Sequence, residues 1–309
     1  MQASVHRRPA RIGVILPSRN RLRTLPAALN SVLEQTWRDL EVMVVDDAST
    51  DGTADYLAGL SDPRVRHRRL DRPRGAGGAR NAGLEMMHNE WIAFQDSDDR
   101  WLPDKLEKQM AAVESASVEP GFVYCRCRRV SASSSYVFPP LHVRRLSGRI
   151  YETLLGGNLV STQTAMIRRA CMDEHGLFDE TLPPLEDWEL FLRLSRNVEA
   201  VFVDEILVES SLRKDSISQR NNDVISAFLA ILERYEDDYA MHPRLRARHL
   251  GTIADRLCMA GRMEEGKARY AEAIRLRPFH LGRAAGWALA GMPFAYKAMR
   301  TWRQKISLV

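Results

Sequence analysis

Three carboxylates crowd into four residues where the stretch WIAFQDSDDRW, residues 91–101, leaves its apolar run: Asp96, Asp98 and Asp99. Like charges this close are costly to keep ionised unless water or a cation neutralises them, and paired carboxylate oxygens suit a hard divalent cation. The same residue types also make an ordinary solvated turn. Two more acids, Asp46 and Asp47, close the run EVMVVD. Asp46 could cap the STDGT turn that follows it.

The elements that must position these acids read clearly. RIGVIL (11–16), EVMVVD (41–46) and WIAFQD are short β-branched or apolar runs that stop at polar turns. Between the first two, TLPAALNSVLEQTW (24–37) places Leu25, Ala28, Leu29, Val32 and Leu33 on one helical face. STDGTADYLAGL starts a second helix, RVRHRRL (64–70) reads as a weak edge strand, and GGARNAGLEMMHN (77–89) as a third helix. Such alternation predicts βαβ units, a parallel sheet and ligands beyond the carboxyl ends of the strands. Residues 17–20, Asp46 with Asp47, and Asp96 to Asp99 would then meet in one crevice.

Further on, DKLEKQMAAVES reads as a helix, GFVYCRC as a strand and 131–148 as an irregular loop. STQTAMI (161–167) is extended, RRACMDEHG a short helix, and VEAVFVDEILVE a strand. In DWELFLRLSRN (187–197), Trp188, Phe191, Leu192 and Ser195 keep the helical period with Asp187 at the start. From about Asp223 the pattern is all helical, and 258–278 is similar to the second part of a tetratricopeptide repeat through Gly261, Tyr270, Ala273 and Pro278. One repeat makes no solenoid, so a cap on the catalytic domain and a partner-binding module both remain open.

The chain of 309 residues is 45% hydrophobic and 28% charged, which fits a globular protein with one large domain and an appendage, or two domains. Net charge is +5, and of 45 basic residues six are lysine. The arginines are scattered among acids and not interleaved with aromatics, so no nucleic-acid partner is expected. Four cysteines, Cys125, Cys127, Cys171 and Cys258, are too few for a disulfide scaffold and fit a reducing compartment. MQASVHRRPARIG has no apolar core, so no secretory leader is expected. The uncharged run 284–296 is too short for a membrane span.

VILPSRNR, VVDDASTDGT, GAGGARNAGL, FQDSDD, GLFDE and LEDWELFLRL follow one another in this order, and together the chain resembles the inverting nucleotide-sugar glycosyltransferases of glycosyltransferase family 2 over roughly residues 11–220. The resemblance implies an α/β chain of the A-type glycosyltransferase fold, Rossmann-like, with a mostly parallel central sheet flanked by helices. A flexible N-terminus (1–10), a catalytic domain (11–220) and a C-terminal all-α region (221–309) follow as expected divisions. Within the catalytic domain, 11–125 would bind the nucleotide and 126–220 shape the acceptor site.

The expected activity is transfer of a sugar, most readily from a UDP-sugar, to a hydroxyl of a glycan or lipid-linked acceptor in cell-surface polysaccharide or glycoconjugate synthesis. By resemblance Asp98 coordinates the cation, Mn²⁺ or Mg²⁺, which takes up charge on the departing diphosphate. Asp96 contacts the ribose, the metal or both; Asp99 could instead cap the following PDKL helix. Asp47 is assigned to the nucleobase, where a carboxylate accepts from a ring N–H such as uracil offers. In GAGGARNAGL the glycines allow close backbone approach, and Arg80, expected at a helix start, can reach a diphosphate. Asp187 matches the family's catalytic base; Glu186 would point elsewhere.

The chain departs from the family in two places. Arg19, in Pro17-Ser18-Arg19-Asn20, stands where family members often carry an aromatic that stacks on the base; a guanidinium plane stacks too. RKDSIS (213–218) lacks the family's histidine, although Arg213 and Lys214 can neutralise phosphate. A sugar nucleotidyltransferase is disfavoured because LPSRNRLRT has no glycine after the first strand, and a glycosidase would leave the strand-end acids and Arg80 unexplained. The alternative from another class is a non-catalytic scaffold or relic domain that binds partners through its helical tail. That tail, 282–305, could also lie on anionic lipid, making the cytoplasmic protein peripheral at the inner membrane face.

Overall fold

The β-branched runs at the head of the chain form neighbouring strands, β1 (Ile12–Ser18) and β2 (Leu40–Asp46), joined by helix α1 (Leu25–Leu33). Pro26 sits in the first turn of α1, where its missing N–H costs nothing. The computed structural model describes residues 11–131, 134–182, 184–211, 221–278 and 281–290. It divides into two units, Met1–Lys214 and Asp215–Val309.

In the first unit, α2 (Thr53–Ala58), β3 (Val65–Arg69), α3 (Gly75–Leu84) and β4 (Trp91–Phe94) continue the strand-helix alternation. Then come β5 (Arg100–Trp101), α4 (Lys105–Glu114), β6 (Phe122–Val130), β7 (Ser135–Phe138), α5 (Tyr151–Leu155), β8 (Ala165–Arg168), α6 (Arg169–His175), α7 (Glu186–Ser195) and β9 (Ala200–Ser211). The strands form one sheet in the order β3-β2-β1-β4-β8-β6-β9-β5, with β7 on β6. The β3-β2-β1-β4 half is parallel. From β4 onward antiparallel neighbours enter: β8 runs against both β4 and β6, while β6 and β9 are parallel. The sheet is therefore mixed, and RVRHRRL is its edge strand as expected.

Alternate residues of β1 and β2, among them Val14, Leu16, Val42 and Val44, are buried with Leu25, Leu29 and Val32 of α1. The opposite face receives α3 at unusually close range. A methyl group on Gly83 would lie 2.7 Å from Ile15 Cγ2 and 3.3 Å from Val45 Cγ2. Gly83 of GAGGARNAGL thus serves helix-to-sheet contact, while Gly77 and Gly78 face Glu186, Phe178, Arg74 and Glu180.

Two local expectations are corrected. The segment 131–148 contains a strand, β7, which pairs Cys127 with Phe138 and Val130 with Ser135; its serines gave no apolar alternation to read. Asp99 does not cap the PDKL helix, because Asp104 occupies the position before α4 and Asp99 is turned inward.

The second unit is helical throughout its described residues: α8 (Asn221–Arg234), α9 (Glu236–Met241), α10 (Pro243–Met259), α11 (Met263–Leu276) and α12 (Leu281–Leu289). Gly261, with a φ of +85°, turns α10 into α11. Tyr270 and Ala273 are buried in that hairpin beside Ala254 and Cys258. No described helix is long and apolar enough to cross a membrane. The expectations for residues 1–10, for RKDSIS and for the tail beyond 290 lie outside the described residues.

Candidate active site

The crevice at the carboxyl ends of β1 and β2 is built by polar side chains that lock two loops together. Asn20, at a positive φ of 53°, accepts from the Thr50 N–H at 2.8 Å, and its own N–H donates to Ser49 Oγ at 2.9 Å. Leu22 N–H donates to Asp51 Oδ2 at 3.0 Å. Asp46 accepts from the Ser49 N–H at 2.9 Å, the cap expected of it. Pro17 is buried in β1 opposite Val45, and Arg19 is exposed at the mouth of the crevice.

Asp47 has one task that its sequence did not announce. Its two carboxylate oxygens accept from the backbone N–H groups of Arg74 at 2.6 Å and Gly75 at 3.0 Å, anchoring the loop that enters α3. Gly75 stands there at a φ of +76°, a conformation that suits glycine.

At the end of β4 the three carboxylates part company. Asp99 is buried; its Oδ2 accepts from Gln163 Nε2 at 2.8 Å and its Oδ1 from the Ser211 N–H at 3.0 Å. Burial, and then the neighbouring Asp96 and Asp98, push its carboxyl well above the usual range. Asp96 and Asp98 remain accessible, with side chains 29% and 21% exposed. Asp98 Oδ2 lies 3.6 Å from Arg21 Nε, so a cation already stands beside it.

Two carboxylates at a strand end, two residues apart and open to solvent, fit a hard divalent ion. Among the described residues no cluster of three or more His, Cys, Asp or Glu side chains could hold a cation alone. That pattern suits a metal that takes one or two carboxylates from protein and its remaining oxygens from phosphate and water.

Arg80 lies in the second turn of α3, not at its start, and its side chain is 5% exposed. Its Nη2 donates to Asp96 Oδ1 at 2.8 Å and its Nη1 to Glu186 Oε1 at 3.0 Å, while the guanidinium sits 5.3 Å from the Phe178 ring centroid. These two bonds use two of the five guanidinium N–H donors, and the buried Nε has no hydrogen-bond partner. Glu186 therefore does not point away, as a helix-start reading suggested, but inward onto Arg80.

Asp187, the second residue of α7, is partly exposed. Its Oδ1 accepts from Asn158 Nδ2 at 3.1 Å and from the Trp188 N–H at 2.7 Å. No described residue donates to its Oδ2. Burial and the adjacent Glu186 raise its carboxyl to about 7 against the opposing pull of Arg80 and Asn158.

The GLFDE segment ties the two halves of this site. Arg74 donates to Glu180 at 2.6 and 3.2 Å. The Asn81 side chain donates to the Phe178 carbonyl at 2.9 Å and accepts from the Phe178 N–H at 3.1 Å. Sequence reasoning missed Asn158, Gln163 and Arg21. Nothing in GGNLV or STQTA distinguishes a positioning amide from a loop amide.

A nucleotide-type parallel half-sheet, an acid pair at the end of β4 and a third acid at the start of α7 are the features a glycosyltransferase of this fold would need. The chain belongs to glycosyl transferase family 2: the family's model matches residues 13–175, more than half of its length. It is 29% identical over 212 residues to the E. coli enzyme UDP-Glc:alpha-D-GlcNAc-diphosphoundecaprenol beta-1,3-glucosyltransferase WfgD, covering 67% of this chain and 79% of that one. It is 30% identical over 210 residues to the putative teichuronic acid biosynthesis glycosyltransferase TuaG of Bacillus subtilis, covering 67% and 81%. Its family thus includes relatives in polysaccharide biosynthesis. The fold is similar to that of S. aureus TarS 1–349 in complex with UDP-GlcNAc, with a TM-score of 0.61 and 18% identity over 94% of this chain and 92% of that one. The chain spans 30% of the length of the succinoglycan biosynthesis protein ExoO of Rhizobium meliloti and 81% of that of TuaG.

Proposed function

We propose that this transferase moves a sugar from a UDP-sugar to a hydroxyl of a glycan or lipid-linked acceptor, with inversion and with a divalent cation, in cell-surface polysaccharide or glycoconjugate synthesis. The observation that carries the reading is Asp187: a partly exposed carboxylate with its carboxyl raised to about 7, one oxygen fixed by two donors and the other free of described donors. A general base works best with a pKa near the working pH and a fixed lone pair aimed at the acceptor.

In the proposed reaction Asp187 Oδ2 takes the proton of the acceptor hydroxyl as its oxygen attacks the anomeric carbon. The attack comes from the face opposite the diphosphate, and the bond from carbon to phosphate oxygen breaks. When bound, Mn²⁺ or Mg²⁺ would neutralise charge on the departing diphosphate. Asp98 and Asp96 would hold the ion, and Asp96 would also face the ribose. Asp47 receives the nucleobase, with Pro17 and Arg19 flanking it. Arg80 is assigned to orienting Asp96 and, as the site loads, to the charge of the diphosphate.

The nucleotide half is assigned to residues 11–125, the acceptor half to 126–220 and the helical region to 221–309. WfgD's acceptor, as named, is a diphosphoundecaprenol-linked sugar. A similar lipid-linked acceptor here would place the protein on the cytoplasmic side, peripheral at the inner membrane face through its C-terminal helices.

Thermal shifts with UDP, GDP, dTDP and CDP, each with Mn²⁺, Mg²⁺ or EDTA, test the donor reading. A ligand at 100 times its Kd adds about 2.7 kcal/mol of stability. Stabilisation by UDP only with metal supports the reading, and none by any nucleotide removes it in favour of a relic domain.

A further inference from the structure

Asp187 shares the start of α7 with Glu186, whose side chain is buried among acids and one cation. A buried carboxylate is expensive unless something compensates it, and an apolar residue there would cost less. Arg80 is the compensation: its Nη1 meets Glu186 Oε1 at 3.0 Å while its Nη2 meets Asp96 Oδ1 at 2.8 Å. The arrangement is built tightly. A methyl group on Gly77 would lie 3.4 Å from Glu186 Cγ and 3.6 Å from Phe178 Cβ, and Phe178 backs the guanidinium.

Two opposite influences reach Asp187 from this cluster. Glu186, one residue away, opposes its ionisation, and Arg80 favours it. Arg80 already favours the ionised form of Asp187 through its charge, and without Glu186 at Nη1 that pull would lose its nearest anionic counterweight. The unopposed pull would lower the basicity of Asp187.

We propose that Glu186 is a positioning residue for transfer, holding Arg80 onto itself and Asp96 so that Asp187 keeps its proton affinity; this rests on Asp187 being the base.

Among the described residues, the other groups near Asp187 are neutral or paired elsewhere. The segment before β8 offers the Asn158 amide, and α5 offers the Leu154 carbonyl, which accepts from Trp188 Nε1 at 2.8 Å. On α7 itself, Glu189 pairs with Arg193 at 2.9 Å. Arg193, nearly two turns beyond Asp187, is where the end of α6 is held, through the Gly176 and Leu177 carbonyls at 2.8 and 2.7 Å. Among the described residues, Glu186 and Arg80 are thus the leading charges that bear on Asp187.

The test is a pH titration of the full chain labelled with ¹³C at the aspartate side-chain carboxyl, without metal or nucleotide. The resonance that disappears in Asp187→Asn belongs to Asp187. In Glu186→Gln its midpoint should fall by roughly one pH unit, and in Arg80→Gln it should rise by a similar amount, because one neighbour is an anion and the other a cation. Opposite shifts cannot come from general loosening, and if one variant does not fold the other still carries the sign. Glu186→Asp, which keeps the charge, should stay closer to the wild-type midpoint than Glu186→Gln. An unmoved or rising midpoint in Glu186→Gln, or an unmoved or falling one in Arg80→Gln, overturns the inference. The base reading itself fails separately, if Asp187→Asn retains full transfer, and this inference falls with it.

Discussion

Asn158 Nδ2 donates to Asp187 Oδ1 at 3.1 Å across 29 residues of chain, joining the loop after α5 to the start of α7. The same asparagine accepts from the Val160 N–H at 3.2 Å, so its amide is fixed at both ends and can fix the carboxylate in turn. Asn158→Ala should therefore lower kcat by about tenfold, within the range a misplaced base costs. Because the lost hydrogen bond favoured the ionised carboxylate, the acid midpoint of the rate profile should also rise. Steady-state rates against pH read both effects, and a normal kcat would remove Asn158 from the positioning of the base.

The pH dependence of the wild type follows from the same carboxyl. A base with a pKa of about 7 is protonated and inactive below that value, so kcat/KM should climb tenfold per pH unit below pH 7 and level off above it. The sign for stability is opposite to that of a salt-bridged acid. Raised carboxyl pKa values at Asp99 and Asp187 favour the folded state while protonated, and that contribution fades as pH rises through them. A profile flat from pH 5.5 to 9 would show that proton transfer by Asp187 does not limit turnover.

How much of this was readable in the chain depends on the kind of signal. Strand runs and the α1 face follow directly from apolar periodicity, and the strand-end rule brought residues 17–20, Asp46, Asp47 and the 96–99 acids to one crevice. Periodicity carries no information about partners 50 or 100 residues away. Nothing in FQDSDD says that Asp99 turns in to meet Gln163 and the Ser211 N–H while Asp98 stays open. The partners of Arg80 were illegible for a related reason: its guanidinium meets Asp96 and Glu186, an arrangement that needs α3, the end of β4 and α7 at once. The strand β7 escaped because its register on β6 replaces the missing pattern.

Separating the two open acids from the buried one gives a metal prediction. Asp98→Ala should abolish the Mn²⁺-dependent part of the thermal shift produced by UDP, since one of two accessible carboxylates is gone. It should leave the melting temperature without ligand within a few degrees of wild type, because Asp98 is partly exposed and its pair with Arg21, at 3.6 Å, is a weak one. Calorimetric titration of Mn²⁺ with UDP present gives the affinity directly. An undiminished shift in Asp98→Ala would move the cation elsewhere.

The last prediction concerns the scaffold under the site. Gly83→Ala would gain up to about 1 kcal/mol of helix propensity in α3. It would also press a methyl group to 2.7 Å from Ile15 Cγ2 and 3.3 Å from Ile15 Cγ1 and Val45 Cγ2. Ile15 and Val45 are fully buried and β-branched, with little room or rotamer freedom to yield, and overpacking of this kind costs about 1–3 kcal/mol. The steric cost wins, so the substitution should destabilise the chain by about 1–2 kcal/mol in urea denaturation. Moving α3 off the sheet also moves Arg80 away from Asp96, so donor hydrolysis should fall in the folded variant. A Gly83→Ala protein as stable as wild type would show that α3 can ride outward without cost, and that its glycines answer to a ligand and not to the strands beneath them.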